Sequence, residues 1–215
     1  MFSDLLALKE WKTDNIADFY NRLTIFPNED KCDYTVSVAN ELIKKNNIQY
    51  YKVAEEILIN AIRNYFNVED LNYKAKIYFC LGYLYEVQKK YINSFTYYEK
   101  YKLNNNIYEG ANSILLKIII LRDKFKYSEE LEKLFLEASG EYNLVLRNDR
   151  IYEDIAEYLI LLNKNNFEKA EEKKKDLKAL VKYGQLPLLD VIIRKDSIFN
   201  ALSVPDEVIE FVEKI

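Results

Sequence analysis

The sequence predicts an all-α protein, and three observations carry that prediction. Only 4 Gly and 3 Pro occur among 215 residues, too few of the turn-forming residues that a sheet-rich fold needs. Charged residues make up 31% of the chain, dominated by Lys and Glu, both good helix formers. Apolar residues recur at three- and four-residue spacing along most of the chain. With 49% hydrophobic residues a sizeable core can form, and the length suits one domain or one continuous helical stack. The expected organisation is a single domain over 1–215, with N-terminal helices in 1–28, helix pairs in 30–183 and short capping helices in 184–215.

Ser3 is expected to cap the first helix, with Asp4 favouring its N-terminal end. Leu5, Leu6, Leu8, Trp11, Ile16, Phe19, Tyr20 and Leu23 follow at helical spacing. Asp14 reads as a second cap that divides this segment, and Pro27-Asn28 ends it. Trp11, the sole tryptophan, is expected to pack this piece onto the next helices rather than line a site. A helix over 30–46 carries Tyr34, Val38 and Leu42, and Asn46-Asn47 forms a turn. Its partner over 49–66 carries Ala54, Leu58, Ala61, Ile62 and Tyr65.

A short insertion, Val68 to Asn72, precedes helices over 74–89 and 91–104. Further pairs follow over 108–124 with 128–139, and over 149–163 with 166–183, where Gly184 stops the helix. Leu186-Pro187 opens a short apolar helix over 188–194, and Asp196 or Ser197 caps a turn with Phe199 and Leu202. Pro205, Asp206 and Glu207 start a last helix, with Pro early and acids in the first turn. These short C-terminal pieces would cover the open end of a stack.

The stretch Ala75 to Asn106 gives the pairs a family likeness. Counting Ala75 as position 1, Leu81-Gly82 fall on 7 and 8, Tyr85 on 11, Tyr91 on 17, Ser94 on 20, Tyr98 on 24 and Tyr101 on 27. This register resembles the tetratricopeptide repeat. The other anchors at position 20 are Ala54, Leu131 and Ala170, so the spacings are 40, 37 and 39 residues against 34 in the consensus. The chain thus resembles a divergent tetratricopeptide-like α-solenoid of about four antiparallel helix pairs. Its other pairs keep the apolar helix crossing but lose the consensus glycine; Ile119 stands in that place in the pair over 108–139.

Several kinds of chemistry are excluded or disfavoured. The chain has no histidine, which removes Ser-His and Cys-His nucleophiles, His-based zinc sites and imidazole acid–base catalysis. The glycines stand alone at 82, 110, 140 and 184, so no phosphate-cradling loop exists. Carboxylate pairs such as Glu55-Glu56, Glu129-Glu130 and Glu171-Glu172 have Lys nearby and read as solvated helix faces. The mixed run Lys164 to Lys182 reads as a salt-bridged surface rather than a phosphate strip. Two cysteines, Cys32 and Cys80, are too few for a disulfide framework, and Cys80 reads as a buried thiol. The net charge of −4 and pI of about 5.2 disfavour nucleic acid as a partner. The N-terminus lacks a basic leader pattern, and no apolar run approaches a membrane span. The expectation is a cytoplasmic protein with no catalytic residues, no metal and no cofactor.

The tetratricopeptide resemblance implies that the first helix of each pair lines a concave groove through positions 2, 5, 9, 12 and 13. In the central unit these are Lys76, Phe79, Tyr83, Glu86 and Val87. In the next they are Ser113, Leu116, Ile120, Asp123 and Lys124, and in the last Tyr152, Ile155, Leu159 and Leu162. Phe79 and Tyr83 stand where the carboxylate-clamp subclass has Lys and Asn, which argues against capture of a chaperone's acidic tail. The expected function is non-catalytic recognition of a peptide or protein through this aromatic groove. The alternatives are an immunity protein that neutralises a toxin domain by direct binding, and a secretion chaperone.

Overall fold

The computed structural model describes residues 2–8, 10–64, 71–104, 111–138, 150–184 and 205–215. Among these are eleven helices and no strand. They are α1 (Ser3–Leu6), α2 (Thr13–Leu23), α3 (Asn28–Lys44), α4 (Ile48–Asn64), α5 (Leu71–Val87), α6 (Tyr91–Asn104), α7 (Ala111–Arg122), α8 (Glu129–Ala138), α9 (Arg150–Asn163), α10 (Phe167–Gly184) and α11 (Asp206–Lys214). The helices group into two compact units, Met1–Ala111 and Asn112–Ile215.

Local signals explain most helix ends and correct some. α1 starts behind Phe2 with no side-chain cap, so Ser3 lies inside it. α2 starts at Thr13, one residue before the expected Asp14 cap, because the Lys12 N–H finds Asn15 Oδ1 at 2.9 Å. Pro27 stands as the N-cap of α3 rather than as the close of the preceding piece. Leu71 and Asn72, expected in an insertion, belong to α5. Ser128 caps α8 by accepting the Leu131 N–H at 3.2 Å. The helix expected over 188–194 and the turn over 196–202 lie outside the described residues.

The turns share one device. Three-residue links join α3 to α4, α5 to α6 and α9 to α10, and the middle residue of each is left-handed: Asn46 at φ 49°, Lys89 at φ 57° and Asn165 at φ 56°. After α5, α7 and α9 the closure is a Schellman pair. The N–H groups of Lys90, Phe125 and Asn166 reach back to the carbonyls of Tyr85, Ile120 and Leu161, each at 2.9 Å. This satisfies carbonyls that a helix end would otherwise leave open.

In the first unit, α3, α4 and α5 pack on one another. Their meeting faces bury Val38, Leu42 and Ile43 of α3, Ala54, Ile57 and Leu58 of α4, and Ile77, Leu81 and Leu84 of α5. Trp11 is buried in this core and meets Phe19 edge-on at 6.4 Å. Each buried Leu or Ile contributes about 1.5–3 kcal/mol. Exposed ion pairs such as Lys44–Glu41 are screened by solvent and contribute little, so apolar burial holds the helices together. α6 runs antiparallel to α5: Tyr97 stacks on Tyr85 near the turn, and Tyr101 meets Phe79 farther along.

In the second unit, Ser113 Oγ of α7 donates to Glu153 Oε1 of α9 at 3.2 Å. Lys117 lies over the Tyr152 ring at 5.8 Å. α9 and α10 form a hairpin in which Lys173 bridges Asp154 at 3.1 Å and Glu157 at 2.6 Å. Among the described side chains of α10, the stripe Ala170, Leu177 and Val181 is buried as core, and charged residues occupy much of the rest.

Candidate interaction face

α5 is buried on most of its circumference by Ile77, Cys80, Leu81, Leu84 and Tyr85. The remaining row is Lys76, Phe79, Tyr83 and Glu86, which helical geometry places on one side. Phe79 and Tyr83 are 41% and 40% exposed there. The Phe79 ring is not loose. Tyr98 and Tyr101 of α6 meet it edge-on, with centroids 5.7 and 5.2 Å away. Tyr98 is itself buried and donates its hydroxyl to Glu86 Oε2 at 2.9 Å. Burial, then the Glu86 charge, pushes the Tyr98 hydroxyl well above the ordinary tyrosine range.

α3 runs beside this row. Lys76 Nζ pairs with Asp33 Oδ1 at 2.7 Å. The Cys80 thiol donates to Asn40 Oδ1 at 3.3 Å. Asp33, Ser37, Glu41 and Lys44 are exposed on α3, and Lys44 bonds Glu41 at 2.6 Å. That hydrogen bond holds the Lys44 ammonium above its usual range. The face is therefore two exposed rings on α5, of which Phe79 is held by α6, with paired opposite charges alongside. It offers apolar and π contact with little net charge. The α3 row was not among the expected contact residues. Its signal is the polar series Asp33, Ser37, Glu41 and Lys44 opposite the apolar Val38 and Leu42.

Most of the other expected groove positions are placed differently, although Lys124 is exposed and Val87 and Asp123 are half-buried. Ser113, Leu116 and Ile120 are buried on α7, and Tyr152 and Ile155 are buried on α9. They are core side chains and present no accessible surface in this arrangement. For α7 the physical reason is composition: ANSILLKIIILR carries apolar residues around the whole cylinder, and such a helix is buried on all sides. On α9, Leu159 is buried too, whereas Leu162 near its end is exposed.

Both cysteines are buried free thiols. Among the described residues no group of His, Cys, Asp and Glu side chains could hold a metal ion. No described helix is long and apolar enough to cross a membrane. No family model, curated protein or solved structure matches the chain.

Proposed function

We propose that this protein is a non-catalytic recognition module that binds a peptide or protein segment through the α3/α5 face of its first unit. The observation that carries this reading is the pair Phe79 and Tyr83, exposed among the buried residues in the middle of α5, with Phe79 clamped by Tyr98 and Tyr101. A ring already held in place loses little freedom on binding, so its contact area converts to affinity efficiently. Aromatic anchors are also the side chains that dominate interface energetics. The reading includes a tetratricopeptide-like stacking of the helix hairpins. The left-handed middle residue shared by three turns supports it, as does the close crossing of α5 and α6 at Gly82.

The test compares wild type with the Phe79→Ala/Tyr83→Ala protein as baits in source-cell lysate, followed by affinity measurement with the captured partner. The double variant should keep its helical circular dichroism and lose about ten-fold or more in affinity. Undiminished binding would reject the face, and loss of helicity would show that the rings are part of the core. Binding that survives high salt favours this reading over a toxin inhibitor acting through an acidic rim.

A further inference from the structure

A second cluster, apart from the α3/α5 face, gathers side chains from α4, α5 and α6. Tyr97 of α6 stacks on Tyr85 of α5, with centroids 5.4 Å and planes 8° apart. The Tyr78 ring stands 6.3 Å from that of Tyr97. Lys100 Nζ lies over both, 4.9 Å from the Tyr97 centroid and 5.8 Å from that of Tyr78, and attraction to the ring faces holds it there. Lys74 precedes Tyr78 by one turn on the same side of α5. Arg63 comes from the last turn of α4. Burial, then the Glu55 charge, keeps the Tyr97 hydroxyl above its ordinary range, and the nearby Arg63 charge pulls the other way. Tyr97 therefore stays a proton donor. Three cations from three helices thus surround two half-buried phenols. Among the described residues no carboxylate pairs with Arg63, Lys74 or Lys100, and the Tyr78 and Tyr97 hydroxyls have no hydrogen-bond partner. Glu55 accepts the Tyr85 hydroxyl instead. Like charges gathered without an acid partner repel one another, and an anion among them removes that cost.

We propose that Arg63, Lys74, Lys100 and the Tyr78 and Tyr97 hydroxyls form a binding site for a phosphate monoester group. A phosphate monoester carries about two negative charges and three strong acceptor oxygens. These match a guanidinium fork, two ammonium groups and two phenols better than the single charge of a carboxylate does. The site shares no residue with the α3/α5 face, and the inference does not depend on that face.

The probes are inorganic phosphate and N-acetyl-O-phosphoserine amide, titrated calorimetrically into the full chain at constant ionic strength. Wild type should bind saturably. Arg63→Gln/Lys100→Gln should bind about ten-fold or more weaker, since each lost charge-assisted hydrogen bond costs about that factor. Lys175→Gln/Lys178→Gln, which removes equal charge from the exposed side of α10, should bind as wild type does. Tighter binding of the phosphoserine probe assigns the group to a phosphorylated residue, and tighter binding of phosphate assigns it to the free ion. No saturable binding by wild type, undiminished binding by Arg63→Gln/Lys100→Gln, or equal weakening in the two double variants overturns the proposal. Should Arg63→Gln/Lys100→Gln fail to fold, Lys100→Met decides, because it keeps the stem over the rings and removes the charge. Binding by Lys100→Met equal to that of wild type overturns the proposal.

Discussion

The ring of Tyr98 lies across Gly82 so closely that a Cβ on Gly82 would fall 2.7 Å from its Cδ1 and 2.8 Å from its Cε1. Carbon atoms do not sustain that approach. The ring cannot swing aside, because it is buried and its hydroxyl is bonded to Glu86. The crossing of α5 and α6 is thus set by a missing side chain. Ser94 uses the same approach, donating its hydroxyl to the Gly82 carbonyl at 2.9 Å.

Gly82→Ala should therefore destabilise by about 1–3 kcal/mol. In an unobstructed helix interior the same change stabilises by roughly 0.5–1 kcal/mol, so the sign of the effect is diagnostic. Gly82→Leu should cost more and lower the melting temperature by several degrees. In a Tyr98→Ala background the penalty of Gly82→Ala should vanish. Urea denaturation of the four proteins completes the cycle, and a Gly82→Ala protein as stable as wild type would refute the close approach.

Lys89 closes the α5–α6 turn at φ 57°, a region that costs a residue with a Cβ about 1 kcal/mol or more. Lys89→Gly should stabilise the protein by about 1 kcal/mol, read as a higher denaturation midpoint with an unchanged slope. Asn46 stands in the equivalent place in the α3–α4 turn. Asparagine already tolerates this backbone, and Asn46 Oδ1 accepts the Tyr51 hydroxyl, so Asn46→Gly should bring no such gain. Equal gains at the two sites would contradict this account.

Burial pushes the thiols of Cys32 and Cys80 up to about 12. At pH 8 the native protein should react with an aromatic disulfide reagent only as fast as it opens, and both thiols should react at once in urea. The folded thiols ionise later than unfolded ones, which titrate near ~8.5. Their contribution to stability is fully present below that value and is lost as pH rises toward about 12. The Tyr98 hydroxyl, also raised by burial, acts in the same direction. Denaturation midpoints should fall across this window, and less so for a Cys32→Ala/Cys80→Ala protein.

Arg22 grips Asp4 with two nitrogens, at 2.9 and 2.8 Å, and Asp18 at 2.7 Å. The Arg22 hydrogen bond holds the Asp4 carboxyl below its usual range. A depressed folded value contributes stability above the unfolded carboxylate range, near ~3.9, and that contribution disappears as pH falls through the folded value. Asp4→Asn should therefore be slightly less stable than wild type at pH 7. The two should converge at strongly acidic pH, when Asp4 is protonated in both states. The effect is small because the pair is exposed to solvent. A difference that persists unchanged into strong acid would point to another cause.

Helical class and most helix spans were legible before any tertiary contact was known. Ala54, Leu58 and Ala61 on α4 mark a buried stripe through local periodicity alone, and Asn46-Asn47 marks its turn. Boundaries shifted where two local signals compete, as at Asp14, which yields to the Lys12–Asn15 hydrogen bond. The row Lys76, Phe79, Tyr83 and Glu86 came from counting repeat positions, and in the structure Phe79 and Tyr83 are exposed. Ser113, Leu116, Ile120, Tyr152 and Ile155 were assigned a face by counting positions, yet they are core.

By itself, then, the sequence determined that the chain is helical and roughly where its helices begin, turn and end, since periodicity and caps act within a few residues. Tertiary structure alone decided which faces stay open and what lies beside them. It set Asp33 against Lys76 across 43 residues and Phe211 against Phe125. Burial is a relation between segments far apart in the chain, and helical spacing carries no record of which segments meet.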